Sequence, residues 1–521
     1  MGMAGMPALL RGSSSQRPNI ILIMADDLGF SDLGCYGGEI ETPNLDALAA
    51  QGLRFAQFYN NARCCPTRST LMSGLYPHQG GIGYMEPTHK YAAGAQKLGL
   101  REYQGFLRTD VTTLGEALQR AGYQTFLSGK WHLGTDPGQR PWERGFDRTY
   151  GILGGMSAYF NPPPQQIFDQ GQPLKETGPQ YYTTDRFTDR ALDYLREAKP
   201  GQPYFLYMAY TAPHFNLDAW PRDIAKYRGQ YRIGWDELRA RRLRRQKELG
   251  IVPANTVLSP RHAQSPAWQD ERDKDLMDLK MAVYAAAVDR MDQNIGRLLR
   301  FLRDSGQEEN TAVIFLSDNG GEMLGRRLNS EAPYQPRDHA FYLLPWANAS
   351  NTPFRLFKQQ MHEGGISTPF IVRWPKQIAA GRLETKSYGH VMDLYPTLLD
   401  LAGSGQKGLE GKSLLPVWRG RGTQQETRFW EHGGNCAVRQ GRWKLVRYYN
   451  EVECDPVTYG LGFRTGPWEL YDIERDRTEL NDLAPRQPQR VRQMSAAYER
   501  WAQRVGVVPW EEILRAGGYP A

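Results

Sequence analysis

Residues 19–29 read NIILIMADDLG: six apolar side chains in succession, Ile20 to Ala25, then Asp26 and Asp27 at once. A strand with one wet face alternates apolar and polar residues, and this run does not. It is the pattern of a strand covered on both faces, as in a parallel sheet. Two carboxylates directly beyond its last apolar residue stand at the carboxyl end of that strand, where open α/β sheets place their ligands.

Similar runs recur along the chain: 123–127, 204–208, 312–316 and 369–372. Helical stretches lie between them. In TPNLDALAAQG, Thr42 reads as the N-cap, Pro43 as the first helical residue and Gly52 as the stop. From Met281 to Leu302, apolar residues return at steps of three and four (Met281, Tyr284, Val288, Met291, Ile295, Leu298, Leu302), the spacing of one helical face. Strands alternating with helices predict an α/β fold, a large mixed but mainly parallel sheet with helices on both faces. The Gly- and charge-rich segment near 404–425 reads as a boundary. Beyond it, strand candidates at 443–447 and 469–471 and a helix over 490–505 predict a smaller α+β domain. The expected division is a flexible tail over 1–16, a main domain over 17–420 and a C-terminal subdomain over 421–521.

The chain has 521 residues, 40% of them hydrophobic and 23% charged, which is ordinary for a soluble globular protein with a sizeable core. The net charge of +7 is mild for this length: it leans towards anionic substrates and does not point to nucleic acid. The one basic run, WDELRARRLRRQKELG near 235–250, sets Trp235, Leu238 and Leu249 on one helical face with charge over the rest. It reads as a solvated amphipathic helix ahead of a strip for polyanions. No stretch approaches the ~20 apolar residues of a membrane span, and no membrane partner is expected. The first sixteen residues lack the basic start and full apolar core of a secretory signal. The five cysteines show no CxxC pair and no zinc spacing. Cys436 and Cys454 either close a loop or remain thiols.

Asp26 and Asp27 have a counterpart in Ser317-Asp318-Asn319-Gly320-Gly321, again at the end of a buried run. Either motif alone is usually a turn or a cap. Both together bring oxygen donors that suit a hard cation, Ca²⁺ or Mg²⁺. In NARCCPTRSTLMSG, residues 61–74, Pro66 fits a first helical turn and Gly74 a stop. Cys64 then stands at a helix start, where free amides favour an anion and lower a thiol pKa. On composition alone, a buried structural cysteine competes with a nucleophile or a modified residue. Lys130 and His132 in GKWHLG, His214 in APH, and Arg355 and Lys358 ahead of HEGG also fall at presumed sheet edges. Cations beside a carboxylate cluster are what a metal-assisted anion transferase or hydrolase needs.

With these residues in view, the chain resembles the type I, formylglycine-dependent sulfatases of the bacterial arylsulfatase family. Cys64-Cys65-Pro66-Thr67-Arg68 is similar to that family's C-x-P-S/T/A-R signature, with Thr67 where Ser or Ala is commoner. ADDLG, GKWHLG, APH, SDNGG, HEGG and the late WELYDIERDRTELNDLA follow in order, so the resemblance runs from Asn19 to about Leu483. It implies the alkaline-phosphatase-like fold. It implies that a maturation enzyme, a transient partner, oxidises Cys64 to formylglycine, while Cys65 occupies the variable position as packing. Asp26, Asp27, Asp318 and Asn319 would bind Ca²⁺ (Mg²⁺ as the alternative) together with the matured Cys64. Arg68 and Lys130 would hold the aldehyde hydrate, Lys358 and His214 would contact the sulfate and the leaving oxygen, and His132 would serve release of the sulfated residue.

The activity so implied is removal of sulfate from aryl sulfates and from a sulfated carbohydrate. A phosphonate monoester or phosphodiester hydrolase of the same superfamily would share Cys64 and the metal, but tends to carry His where this chain has Asn319. A catalytically inactive binding protein would have lost the nucleophile or a ligand, and none is missing. His78, Tyr84, His89 and Asn216 are candidates for contacts beyond the sulfate, each weighed equally as structural. The resemblance places the protein in the periplasm or outside the cell; with no clear signal in the sequence, a cytoplasmic location stays open.

Overall fold

A computed structural model describes residues 17–178, 180–324, 339–449 and 465–519. The expected tail over 1–16 and Cys454 lie outside the described residues. The run at 19–25 is the central strand β1 (Asn19–Ala25) of a ten-stranded sheet. In chain order the other strands of that sheet are β2 (Leu53–Phe55), then β4 (Gln124–Lys130), β5 (Arg148–Ile152), β6 (Ile167–Asp169), β7 (Gln172–Pro173), β8 (Tyr204–Ala209), β9 (Thr311–Ser317), β10 (Phe370–Arg373) and β11 (Arg382–Glu384). A short β3 (Phe58–Tyr59) pairs separately with β12 (Gly389–His390). The spatial order is β11-β2-β10-β9-β1-β8-β4-β5-β6-β7. Pairings from β9 through β5 are parallel, while β10 is antiparallel to both its neighbours, so the sheet is mixed with a parallel centre.

The continuous apolar run of β1 has its explanation in the two cores. Ile21, Ile23 and Ala25 face one hydrophobic cluster and Ile20, Leu22 and Met24 face the other. The first is closed by the long helix Lys274–Asp304, whose Met281, Tyr284, Val288, Met291, Ile295, Leu298 and Leu302 are all buried. On the other side of the sheet lies the helix Cys64–Ser73, every residue of which is buried.

The arginine-rich helix Gly234–Glu248 departs from the expected pattern. Trp235 and Leu238 are buried as expected, but so are Arg239 and Arg242. Arg242 forms ion pairs with Asp32 at 2.6 Å and Glu39 at 2.8 Å. Two of its charges thus serve the interior, and the exposed Arg241 and Arg245 pair with Glu237 and Glu248.

Past residue 425, β13 (Arg428–His432), β14 (Asn435–Gln440), β15 (Trp443–Tyr449) and β16 (Thr465–Asp472) form an antiparallel sheet covered by the helix Pro488–Val505. Its inner edge is tied to the catalytic side by buried charge. Glu363 accepts from Lys444 (3.0 Å) and Arg477 (2.9 Å), while Lys444 also meets Glu479 at 2.8 Å. The last helix, Trp510–Gly517, returns to pack on the helix Ala93–Lys97, and Trp510, Ile513 and Leu514 join the core behind the sheet. Among the described residues, no helix is long and apolar enough to cross a membrane.

Candidate active site

Strand register brings the acidic motifs together. Ala25 pairs with Ser317 across β1 and β9, so the next residues, Asp26 and Asp318, leave the sheet side by side. The Asp27 amide donates to Asp318 Oδ1 at 3.3 Å, and the Asn319 amide nitrogen donates to Asp27 Oδ1 at 2.7 Å. Asp27 holds a left-handed backbone (φ 68°), a conformation a non-glycine residue keeps only where its surroundings fix it.

Four cations face these carboxylates. Arg68, on the buried helix, reaches Asp318 Oδ2 through Nε (3.1 Å) and Nη2 (2.8 Å). Lys130, at the end of β4, donates to Asp26 Oδ2 at 2.7 Å. Lys358 donates to Asp27 Oδ1 at 2.7 Å and lies 3.1 Å from Glu322. His214, in the loop after β8, places Nε2 3.6 Å from Asp27 Oδ2. Arg68, Lys130 and Lys358 are at most 2% exposed.

The residues fit a hard cation. Asp26 Oδ1, Asp27 Oδ2 and Asn319 Oδ1 are buried and without a hydrogen-bond partner among the described residues. Burying unpartnered carboxylate oxygens is costly, and an ion ligated by oxygens answers it. Asp318 carries the same signature. Burial and the neighbouring charge of Asp26 push its carboxyl up to about 6, with Arg68 and Lys130 offsetting only in part. A bound cation would remove that repulsion. Cys64 belongs to the same cluster: ligand atoms of Asp26, Asp27, Cys64 and His214 lie within 4.8 Å of one another.

Cys64 is the first residue of its helix and is 2% exposed. Burial opposes its thiolate, but the charges of Lys130 and Lys358 outweigh burial and hold the thiol well below its usual range. It opens onto a cavity of about 340 Å³, also lined by Arg63, Met85, Glu86, His89, His132, Gly155, Met156, His214, Phe215, Leu324 and Lys358. His132 pairs through Nε2 with Glu86 at 3.0 Å. Gly155 packs on its ring so closely that a Cβ there would come within 2.7 Å of Cε1. For His214, burial disfavours the charged ring, yet Asp27 and Asp26 raise its pKa above the usual 6.5.

With this geometry in place, similarity to known proteins decides the family. The profile of the sulfatase family matches residues 18–404. The chain belongs to the sulfatase family. A second profile, N-sulphoglucosamine sulphohydrolase, C-terminal, matches residues 354–500. An uncharacterized sulfatase of Schizosaccharomyces pombe is 34% identical over 96% of this chain and 96% of its own. An arylsulfatase of Klebsiella aerogenes is 33% identical over 78% of this chain and 91% of its own. Among solved structures, Ps i-CgsB in complex with k-i-k-neocarrahexaose superposes with a TM-score of 0.68 at 27% identity, covering 94% of this chain and 93% of that one. This sulfatase is therefore a sulfuric ester hydrolase of type I, and its sheet and C-terminal domain are those of the alkaline-phosphatase-like fold.

The sulfatase gathers Asp26, Asp27, Cys64, Arg68, Lys130, His132, His214, Lys358, Asp318 and Asn319 around one end of its sheet. Other expected residues lie elsewhere. His78 is buried against Glu431 at 2.9 Å and Tyr84 is buried against His432 and Trp510, so neither reaches the cavity. Asn216 is exposed and outside the cavity lining, whereas His89 lines it. In HEGG, His362 pairs with Glu469 (3.1 Å) and Glu363 with Lys444, so that motif secures the C-terminal sheet. Arg355 also turns that way, 3.5 Å from Glu469. Sequence reading missed Glu322, although it stands as a second acid in SDNGGE, and it missed Glu86, which no local signal marks.

Proposed function

We propose that this sulfatase hydrolyses sulfate monoesters, of aryl alcohols in assay and of a sulfated carbohydrate as natural substrate, using a Cys64 matured to formylglycine and a Ca²⁺. The observation that carries the reading is the position of Cys64. It lies at the cavity wall between Lys130, Lys358 and His214, beside three buried oxygens that lack partners. The carbohydrate is supported by the oligosaccharide bound to Ps i-CgsB.

Asp26, Asp27, Asp318, Asn319 and residue 64 would hold the cation (Mg²⁺ being the alternative), which supplies Lewis acidity towards the sulfate and residue 64. A formylglycine at 64 would supply an aldehyde hydrate, the chemistry for both attack on sulfur and release of sulfate. Arg68 and Lys130, both buried, hold positive charge beside residue 64 and pair with Asp318 and Asp26. Lys358 and His214 border the cavity, where the charge of the sulfate and leaving oxygen develops. His214, whose pKa Asp27 and Asp26 raise, gives its proton to the leaving alcohol. His132, oriented by Glu86 and Gly155, accepts the proton that release requires. Catalysis is assigned to 17–420, which supplies every residue of the cavity lining, and 421–521 is a C-terminal α+β subdomain tied to it through Glu363 and Lys444. The maturation enzyme is a transient partner, and a periplasmic or extracellular site of action fits the proposed substrate.

The test is expression with a formylglycine-generating enzyme, peptide mass analysis of residues around 64, and rates on matched aryl sulfate and aryl phosphonate esters. Formylglycine at 64, a preference for sulfate and loss of turnover in C64A are expected. An unmodified Cys64 in the active protein overturns the nucleophile, and a preference for phosphonate overturns the reaction.

A further inference from the structure

Cys65 follows Cys64 on the same helix but faces a different set of groups. Its Sγ lies 3.7 Å from the Tyr84 carbonyl oxygen and 3.6 Å from the thioether of Met85. Ligand atoms of Cys65, Glu86 and His132 lie within 4.8 Å of one another. Glu86 and His132 both line the catalytic cavity, so an ion in solution can reach them. His132 is 7% exposed and its Nδ1 has no hydrogen-bond partner among the described residues.

This is a different kind of donor set from the one at Asp26 and Asp318. That cluster is dominated by oxygens and suits a hard cation. A thiolate, an imidazole and one carboxylate, with a thioether next to the sulfur, suit a soft or borderline ion. Three protein ligands and a fourth position open to a cavity are the ligation of an accessible zinc site. No sequence spacing marks it, because the donors come from the buried helix, the loop at 86 and the end of β4.

We infer that Cys65, Glu86 and His132 form a second metal site, for Zn²⁺ or an ion of similar softness, in the wall of the catalytic cavity, and that its occupation stops sulfate ester hydrolysis. On binding, the S–H bond of Cys65 breaks, its proton leaves to solvent, and the sulfur lone pair passes to the cation. Glu86 turns from holding His132 to holding the ion, and His132 is no longer able to accept a proton. Binding stands on the donor geometry alone; only the inhibition rests on the role proposed for His132.

The binding test uses Co²⁺ as the probe and unmatured full-length C64S, with Ca²⁺ in excess to fill the oxygen cluster. Near-ultraviolet thiolate-to-cobalt absorption is expected in C64S and absent from C64S/C65S. No such absorption in C64S, or the same absorption in both, overturns the site without touching the sulfatase reading. The inhibition test uses the matured enzyme, with C65S and C65A compared to wild type. Turnover without zinc is expected to be unchanged, and the Zn²⁺ concentration for half inhibition to rise by at least the ~10–100-fold that loss of a mere ligand partner causes. Equal zinc sensitivity in all three proteins overturns the inhibition.

Discussion

Lys358 offers the sharpest test of how this site handles charge. Its ammonium lies 2.7 Å from Asp27 Oδ1 and 3.1 Å from Glu322 Oε2, and the residue is 2% exposed. Burial disfavours its charge, yet Asp27, Cys64 and Glu322 together raise its pKa well above the usual lysine range. Lys358→Met keeps most of the volume and deletes the charge. Two consequences separate. Asp27 and Glu322 lose a buried counter-ion, and breaking such a pair costs about 3–5 kcal/mol of stability. A cation held by Asp27 would bring the loss towards the lower figure. In catalysis, loss of one preorganised positive group at a developing charge lowers kcat by roughly 10²–10³, about 3–4 kcal/mol. The assay is kcat/KM on a series of aryl sulfates of rising leaving-group pKa, with the thermal midpoint measured on the same preparations. If Lys358 meets the charge on the leaving oxygen, the defect deepens along the series. Adding Glu322→Gln to Lys358→Met removes one stranded carboxylate, so the midpoint recovers while kcat does not. A folded Lys358→Met that turns over every member within twofold of wild type would refute this account, and a defect in midpoint alone would make Lys358 a structural counter-ion.

Three further outcomes follow from the same structure. Chelation of Ca²⁺ is expected to lower the thermal midpoint. Re-addition at 100 times its Kd should restore about 2.7 kcal/mol, and Asp318→Asn should blunt the response in calorimetry. Because Asp27 and Asp26 raise the His214 pKa above 6.5, its contribution to stability in the metal-free protein is complete below 6.5 and fades as pH rises through the higher folded value. As the proposed acid it gives kcat a basic limb, which should be missing from the residual activity of His214→Ala. Glu469 has a folded pKa of about 2 against 4.5, since His362 and Arg355 outweigh burial. Its stabilisation, about 3 kcal/mol at 1.36 per unit, is present above pH 4.5 and lost as pH falls towards 2. Urea midpoints from pH 7 to pH 3 should therefore fall less steeply in Glu469→Gln than in wild type.

Strands and site were legible to different degrees, for physical reasons. β1 announced itself because burial on both faces leaves no room for alternation, and Asp26 and Asp27 stood out as charges at its end. That Asp318 would be their neighbour needed the pairing of β1 with β9, 291 residues apart in the hydrogen bond from Asp27 to Asp318, and sequence offers no such register. The antiparallel β10 was likewise invisible, since an apolar strand reads the same in either direction. The arginine helix misled because a long side chain on an otherwise solvated face can fold inwards when a carboxylate waits there, as Asp32 does for Arg242. HEGG, placed near the chemistry by its order in the chain, owes its acid to the buried charges of Lys444 and Arg477.

Cys64 and Cys65 show why residue type and helical position do not by themselves make a nucleophile. Both are buried, both start the same helix, and burial raises both thiols. The difference is the sign of the charge each one faces. Cys64 looks towards Lys130 and Lys358, and their charges take its thiol well below the ordinary range. Cys65 is turned about a third of the way round the helix, where Glu86 and Cys64 itself add to burial and hold its thiol well above that range. One helical step therefore separates a position poised for an anion from a position that stays protonated until a cation displaces the proton. The cations are set at 64 by β4 and by the loop at Lys358, not by the local sequence. Moving Lys130 or Lys358 would erase the distinction without touching either cysteine.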